Sequence, residues 1–441
     1  MLTASQFKMI QHDRLAFSLG EYRRRYDATI KAMAEKGIEV LLVRTPENIA
    51  YLTGYVTPGY YGYHCLVLSL DQAPTLVLRF LEQTNVFEYS WLADSVPVPD
   101  DRVPYEATIE TLRARGLANK RIGVEKTSFF STIEEYENVR AKLPEATLVD
   151  GSGIIEWVRV IKSPEELALM RRCAKMLDHG SKVGLDALHA GTTEDAIAAE
   201  IHRELVGRGS EYPGLPHFVT SGPRITVTHS TWEGRRIAKG DPVFYELSAT
   251  KHRYSSVIMF TASDGEPGDL VRRISDASLR ALDAGMKALK PGVPCEDVDR
   301  AVHGEFVKAG FGDYHRHRAA YSLGMCFPPD WGEGQILSLK KGEKRLVQEN
   351  MVFHMVPAAY IYRKTGAGFS ATLHVTANGC APFSMYPGKL VVKGAKAASA
   401  KRVATAKKPK SKAKAKTKTK SKTKAKAKPK AKTKAKKAKR R

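Results

Sequence analysis

One acidic residue stands alone in a stretch of apolar sequence near the middle of the chain. In VFYELSATKHRYSSVIMF, residues 243–260, Glu246 is the only acid, and KHR reads as the turn between two strands. Phe244, Glu246 and Ser248 share one face of the first strand, because side chains alternate along a strand. A carboxylate is costly to bury unpaired, so Glu246 is a functional candidate if this face borders a cleft, and an ordinary residue if it faces water.

Two histidines lie in comparable strand-and-turn segments. His229, in VTHSTWEG, stands 17 positions before Glu246, and His354 lies in MVFHMVP. A histidine and a carboxylate that face one cleft can exchange protons as general acid and base. A lone histidine is also common as a hydrogen-bonded structural residue, so both interpretations stay open for both histidines.

A third candidate is the segment RAAYSLGMCFPPDWGEG, residues 318–334. Its tandem prolines favour extended backbone, and Trp331 has Asp330 and Glu333 beside it. An aromatic ring with nearby carboxylates suits a small cation such as an amidinium, through cation–π and charge interactions. A structural loop whose tryptophan packs on the core would have the same composition.

Helical and strand patterns alternate from residue 20 to residue 155. An amphipathic helix ends at Gly37, and IEVLLV, CLVLSL, TLVLRF, KRIGVEK and ATLVDGSG read as strands. This rhythm predicts an N-terminal α/β domain, residues 1–158, with a largely buried sheet.

The second region, residues 159–392, begins with a strong helix signal. Ser163 is a good N-cap, Pro164 suits the first helical position and Glu166 completes a capping box. Residues 191–209 then align without gaps to residues 292–310, with glycines matched at both ends. We expect one domain built from two related ααβ halves.

Net charge divides the chain sharply. Residues 393–441 hold 24 Lys or Arg and no acid, so the remainder has 71 − 24 = 47 basic against 47 acidic residues. A segment so poor in large apolar side chains cannot offset its chain entropy and is predicted to be disordered. We expect it to bind nucleic acid without sequence specificity, although a merely solubilising role stays open. The basic residues singled out for this contact are Lys407, Lys408, Lys410, Lys412, Lys436, Lys437, Arg440 and Arg441.

The five cysteines are scattered and form no CxxC pair, which argues against a disulfide framework or a thiolate zinc site. No apolar run is long enough to cross a membrane, and the N-terminus has no apolar leader. We expect a cytoplasmic protein, with nucleoid association possible through the basic tail.

The order of these segments resembles the creatinase and Xaa-Pro aminopeptidase superfamily, the "pita-bread" fold, over about residues 20–392. The segments that carry the resemblance are KSPEELALMRR, SGPRITVTHS, GDPVFYELSA, YSLG and MVFHMVP. The resemblance implies a homodimer. It also implies that YVTPGYYGYHC, with Tyr60, Tyr61 and His64, covers a substrate pocket, often that of the partner subunit.

Metal-dependent members of that superfamily bind two divalent ions through two Asp, one His and two Glu. The matching positions here hold Glu246, Val257, Tyr321, Val356 and Ala371. Valine and alanine offer no ligand atom, and hard divalent ions need several oxygen or imidazole donors. The sequence therefore predicts no catalytic metal and no other cofactor.

Among metal-free members, the chain is most similar to ectoine hydrolases, which open a cyclic amidine. The resemblance implies that Glu246 is nucleophile or base and that His229 transfers the proton. The remaining candidates, expected to contact a small-molecule substrate, are Tyr60, Tyr61, His64, Tyr321, Asp330, Trp331, Glu333 and His354. Ectoine hydrolases carry Glu where this chain has Ala371, which leaves open another small cyclic or N-substituted amino acid.

Two other functions stay open from the sequence. One is an Xaa-Pro aminopeptidase-like metallopeptidase, which needs metal ligands that these segments lack. The other is a catalytically inactive body tethered to nucleic acid by the basic tail.

Overall fold

The computed structural model describes residues 14–394 of the 441-residue chain. Its N-terminal part alternates helices and short strands, as the sequence predicts. The elements are α1 (Leu19–Glu35), β1 (Val40–Val43), α2 (Pro46–Thr53), β2 (His64–Ser69), β3 (Thr75–Arg79), α3 (Gln83–Tyr89), β4 (Ser95–Val98), α4 (Pro104–Ala114), β5 (Arg121–Val124), α5 (Ile133–Lys142), β6 (Thr147–Asp150) and α6 (Ile154–Arg159).

These strands form one six-stranded mixed sheet in the order β4-β3-β2-β1-β5-β6. β1, β5 and β6 run parallel, as do β3 and β4, whereas β2 is antiparallel to both β1 and β3. β1 and β2 are buried throughout, which agrees with their nearly continuous apolar sequence.

The second region carries the remaining elements. They are α7 (Pro164–Ala187), α8 (Glu194–Gly207), β7 (Phe218–Ser221), β8 (Pro242–Lys251), β9 (Tyr254–Asp264), α9 (Asp269–Ala288), α10 (Cys295–Lys308), β10 (Ala320–Ser322), β11 (Ser338–Leu339), β12 (Val352–Met355), β13 (Ala358–Ile361), β14 (Thr365–Gly368), β15 (Ala371–Thr376), β16 (Gly379–Ser384) and β17 (Val391–Lys393). The predicted capping box is present, because Ser163 and Glu166 each accept the other's backbone N–H at the start of α7.

Two helix pairs and two main sheets make up this domain, which confirms the predicted duplicated ααβ design. α7 and α8 precede the sheet ordered β17-β9-β8-β7, and α9 and α10 precede the sheet ordered β11-β10-β12-β15-β16. The sheets meet where Thr372 Oγ1 hydrogen-bonds both the N–H and the C=O of Val257. Apolar side chains on one side of the sheets pack with the helices. Those on the other side belong to a second apolar cluster, which is shared with the N-terminal domain, and we call the region in front of this side of the sheets the cleft.

The described part of the chain ends just beyond β17, which pairs in parallel with β9. The predicted tail boundary at Lys393 falls inside this strand, and Lys393 Nζ donates to the carbonyls of Leu185 and Asp186 at the end of α7, 2.9 Å away in each case. The rest of the predicted disordered segment, from residue 395 onward, and all eight predicted nucleic-acid contacts fall on residues outside the described range. Within that range, no helix has both the length and the apolar character needed to span a bilayer.

Candidate active site

Glu246 lies in the middle of β8, and its neighbours show which side of the sheet it occupies. Val243, Tyr245 and Leu247 pack into the helix-side core, whereas Phe244 belongs to the apolar cluster of the cleft. Since side chains alternate along a strand, Glu246 points with Phe244 into the cleft. The face of β8 that Phe244, Glu246 and Ser248 were predicted to share is therefore the face toward the cleft.

The Glu246 carboxylate is partly buried and has neither a hydrogen bond nor an ion pair to any residue in the range 14–394. Burial, followed by the negative charge of Asp330, raises its pKa from the ordinary 4.5 to about 8. A carboxyl group poised near neutral pH, with no structural partner, has the properties of a general base or acid.

Asp330 lies near Glu246 in the loop between β10 and β11, and its Oδ1 accepts the N–H of Gly332 at 3.0 Å. Burial raises the Asp330 pKa, while the positive charges of Arg318 and His229 act in the opposite direction. The cleft therefore presents two carboxyl groups whose charges interact, together with nearby basic side chains.

Tyr321 in β10 connects these groups to the core. Its Oη accepts the indole N–H of Trp331 at 2.9 Å and lies 2.8 Å from His354 Nδ1. Burial, then the charges of Glu246 and Asp330, raise the Tyr321 pKa well above its usual value. Tyr321 is thus close to both carboxyl groups and anchored on its other side.

Two residues predicted to contact substrate, Trp331 and His354, are buried and make contacts within the protein. Trp331 is only 2% exposed; it packs on Phe218 and binds Tyr321. His354 is fully buried between Tyr321 and Ser370. In both cases the side chain supports the cleft from behind and presents no open face to a ligand.

Glu333 lies outside the cleft altogether. It is 1% exposed, and its carboxylate pairs with Arg159 Nη2 at 2.5 Å and Lys162 Nζ at 3.0 Å. Burial alone would raise its pKa, but the charges of Lys162 and Arg159 outweigh burial and lower it. The expectation of substrate contact fails because both carboxylate oxygens are occupied by cations from the junction of the two domains.

His229 is exposed at the rim, after the short 3-10 turn Gly222–Thr226. Its backbone has φ 56°, a left-handed conformation that is uncommon outside glycine, and its ring centroid lies 5.7 Å from that of Phe218. Phe218 also packs on Trp331, so His229 lies at the edge of the region that holds Asp330, and its charge acts on that carboxyl group.

The N-terminal candidates occupy a neighbouring region. Tyr60 packs on Phe327 of the loop that leads to Asp330, with ring centroids 5.3 Å apart, and Tyr61 is 78% exposed. His64 Nε2 is 2.9 Å from Tyr55 Oη, and burial lowers the His64 pKa to about 4. Tyr60 therefore packs on the loop that leads to Asp330, and the buried His64 lines a small cavity with Tyr60 and Phe327.

Three cleft residues were not found from the sequence. Tyr360 in β13 lies near Phe244, and its pKa is raised by burial and by the charge of Glu246. Arg318 lies over the ring of Tyr321, and Ser370 hydrogen-bonds His354. Arg318 opens a segment singled out from the sequence, but nothing in the local pattern of Tyr360 or Ser370 indicates a site.

The donor set does not fit a metal ion. Val257 and Val356 belong to the apolar cluster on the cleft side, whereas Ala371 pairs with Met355 and packs in the helix-side core. No group of three or more His, Cys, Asp or Glu in residues 14–394 could hold a metal. The two-metal arrangement implied by the resemblance therefore has no matching ligands in these residues, and we derive no chemical step through a metal.

Two families match the chain. The creatinase/prolidase N-terminal domain matches residues 25–161, and the metallopeptidase family M24 matches residues 168–377. An uncharacterized hydrolase/peptidase, y4tL, of Sinorhizobium fredii is 31% identical over 85% of this chain and 97% of its own length. The ectoine hydrolase of Halomonas elongata is 27% identical over 86% of this chain and 99% of its own length.

Solved structures share the architecture. The dipeptidase PepE from Mycobacterium ulcerans has a TM-score of 0.74 at 24% identity, covering 85% of this chain and 99% of that chain. The prolidase from Pyrococcus furiosus has a TM-score of 0.69 at 24% identity, covering 80% and 98%. At these identities the likeness extends to the fold.

Proposed function

We propose that this chain, which belongs to the metallopeptidase family M24 and carries a creatinase/prolidase N-terminal domain, is a metal-independent hydrolase of a small cyclic amidine or N-substituted amino acid. Its relatives are named as hydrolases and peptidases, and the chain is a hydrolase acting on C–N bonds. The observation that carries the finer proposal is Glu246, which is unpaired within residues 14–394 and lies in a cleft where Val257, Tyr321 and Val356 occupy other metal-ligand positions.

The substrate class follows from the charges of the cleft. The negative charge of Asp330 helps to raise the pKa of Glu246, and the aromatic side chains of Phe244, Tyr321 and Tyr360 lie in the same part of the cleft. Such a site favours a flat cation, since ionised carboxylates and ring faces both attract positive charge. An amidinium is flat, cationic and electrophilic at carbon, so water can add without a Lewis acid.

The reaction can be written with this chain's own groups. Glu246 takes a proton from water while the oxygen forms a bond to the amidinium carbon and the C=N π pair moves to nitrogen. The C–N bond then breaks, its pair leaves with the nitrogen, and that nitrogen takes the proton held by Glu246. The hydroxyl proton of the intermediate passes through His229 to the departing amine, which gives an amide, an ammonium and the original carboxylate.

Proton NMR of ectoine incubated with the chelator-treated full chain tests this proposal. We expect the signals of a ring-opened N-acetyl product, and we expect Glu246→Gln to abolish them. Parallel samples contain added Mn²⁺, and others contain an Xaa-Pro dipeptide. Cleavage of the dipeptide only with Mn²⁺ would contradict the proposal and support a metallopeptidase.

The basic segment beyond the described residues suggests a second interaction. We propose that residues 393–441, with 24 positive and no negative charges, bind nucleic acid without sequence preference. The full chain should retard DNA on gels at low salt and release it steeply as salt rises. A variant that lacks residues 397–441 should neither retard DNA nor lose hydrolase activity; retardation by that variant would contradict the proposal.

We also propose that the protein forms a homodimer through its N-terminal domain. Tyr61, Phe129 and Ile133 are each at least 77% exposed on this domain, a degree of exposure that favours association. Light scattering of the full chain after gel filtration should give twice the monomer mass of 48.8 kDa, and a monomer mass would refute the proposal.

A further inference from the structure

Four buried side chains form a hydrogen-bonded row behind the cleft. The backbone N–H of Met259 donates to Ser370 Oγ at 2.6 Å, and Ser370 Oγ lies 2.6 Å from His354 Nε2. His354 Nδ1 lies 2.8 Å from Tyr321 Oη, and Trp331 Nε1 donates to the same oxygen at 2.9 Å. Because all four side chains are at most 8% exposed, water competes little for these contacts.

The directions of the protons in this row follow from its fixed end. A backbone amide can only donate, so Ser370 accepts from Met259, and within residues 14–394 the serine proton has one acceptor in reach, His354 Nε2. His354 is neutral, since burial lowers its pKa to about 3, and it therefore carries its proton on Nδ1. The opposite tautomer would leave the buried serine proton without an acceptor, which is unfavourable.

Tyr321 stands at the other end of the row. Its hydroxyl oxygen accepts one proton from His354 and one from Trp331, which uses both of its acceptor positions. Its own proton must therefore point in a third direction. Tyr321 belongs with Phe244 to the apolar cluster on the cleft side, and the charges of Glu246 and Asp330 both act on its phenol.

We propose that Tyr321 is a positioning residue whose phenol O–H donates a hydrogen bond to the water that attacks the substrate. Ser370 and His354 fix the direction of this hydrogen bond. The inference rests on the proposed function. The water donates one proton to Glu246 and accepts from Tyr321, so a remaining lone pair is free to face the amidinium carbon. As the water loses its proton to Glu246, negative charge grows on its oxygen and the hydrogen bond from Tyr321 strengthens.

The role of Tyr321 explains why a tyrosine can stand at the position that the resemblance assigns to a metal-binding histidine. In a metal enzyme the ion orients the attacking water. Here a neutral donor held by two buried partners would perform that orientation, and the phenol keeps its proton throughout the cycle.

The protonation state of His354 can be measured without any substrate. Nitrogen NMR of the full chain labelled with ¹⁵N-histidine reports which ring nitrogen carries the proton, and His354→Asn assigns the signal. We expect Nδ1–H and unprotonated Nε2 in the unmodified chain, and loss of the hydrogen-bond shift at Nε2 in Ser370→Ala. An Nε2–H tautomer would overturn the inference, whatever the enzyme's substrate proves to be.

Kinetics test the positioning role itself. Tyr321→Phe should lower kcat by about 10- to 100-fold while KM changes little, because the orientation of the water is lost but the groups that bind the cationic substrate remain. Tyr362→Phe removes the same atom from a side chain that is 63% exposed and serves as the matched control. An unchanged kcat in Tyr321→Phe would refute positioning. If the unmodified chain does not hydrolyse ectoine, the proposed function and the water-positioning role both fail for this substrate. The NMR result on His354 still tests the hydrogen-bonded row separately.

Discussion

Glu246 in the cleft and Glu333 at the domain junction are both glutamates, but their electrostatic surroundings are opposite. At the junction, Glu333 is bound by Arg159 and Lys162, and its pKa is lowered despite burial. In the cleft, Glu246 has no ion pair or hydrogen bond within residues 14–394, and its pKa rises to about 8.

The difference shows that burial alone does not define a functional carboxylate. A buried charge with satisfied partners holds elements together, whereas a buried carboxyl without partners is tuned for proton transfer or for a cationic ligand. Asp330 and Glu333 are three residues apart and still fall on opposite sides of this division.

The largest expected effect concerns catalysis at Glu246. Glu246→Gln keeps the shape and removes the base, so turnover of the accepted substrate should fall by about 10²- to 10⁴-fold. The folded state should be retained, because Glu246 has no partner in the described range to lose. NMR turnover assays and thermal melting check the two halves; substantial residual turnover would transfer the role of base to another group.

At Glu333 the expected effect of substitution is a loss of stability. Glu333→Gln leaves Arg159 and Lys162 buried without their anion and should lower the free energy of unfolding by about 3–5 kcal/mol. Urea titration measures the change. Glu204→Gln, which removes the partner of Arg208 on the surface of α8, is the control and should change little. Equal effects of the two substitutions would contradict the role assigned to the junction.

The pH profile should report the cleft carboxyl. Below about pH 8 the free enzyme holds Glu246 protonated, so it lacks both the base and part of the attraction for a cation. We expect kcat/KM to rise with pH and level off above about 8. In kcat the midpoint should lie lower, since a bound cation favours ionised Glu246. A flat kcat/KM from pH 6 to 9 would exclude Glu246 as the titrating group.

Stability should depend on pH with the opposite sign. The Glu246 pKa is raised on folding from 4.5 to about 8, so between these values the folded chain binds more protons than the unfolded chain. The contribution of protonated Glu246 is fully present below about pH 4.5 and is lost as pH rises through 8. Glu246→Gln should therefore gain stability relative to the unmodified chain between pH 6 and pH 9, measured by urea unfolding at each pH. A constant difference would argue against the raised pKa.

The smallest expected effect is a shift in the profile. Asp330→Asn removes the negative charge that helps to raise the pKa of Glu246, so the midpoint of kcat/KM should move to lower pH. Asp283→Asn on α9, where the aspartate pairs with Lys287, is the matched control and should leave the midpoint in place. An unchanged midpoint in Asp330→Asn would mean that the two carboxyl groups do not interact.

Much of the architecture could be predicted locally. The alternation of patterns predicted five of the six strands of the N-terminal sheet, all except β4, and the Ser163–Glu166 capping box marked the start of α7. The two-residue period of β8 placed Glu246 opposite Tyr245 and Leu247, and the structure has it on the cleft face. Lys393, the first residue of the predicted tail, pairs in parallel with β9, a contact that has no local signal in the sequence.

The sequence by itself determined which groups are available: one acid in VFYELSATKHRYSSVIMF, and no ligand atom at Val257, Val356 or Ala371. Only the tertiary structure decided which groups work together. Arg159 meets Glu333 across 174 positions of chain, and His354 meets Tyr321 across 33. Such contacts set burial and hydrogen bonding, and these in turn decide whether a polar side chain supports the fold or faces the substrate.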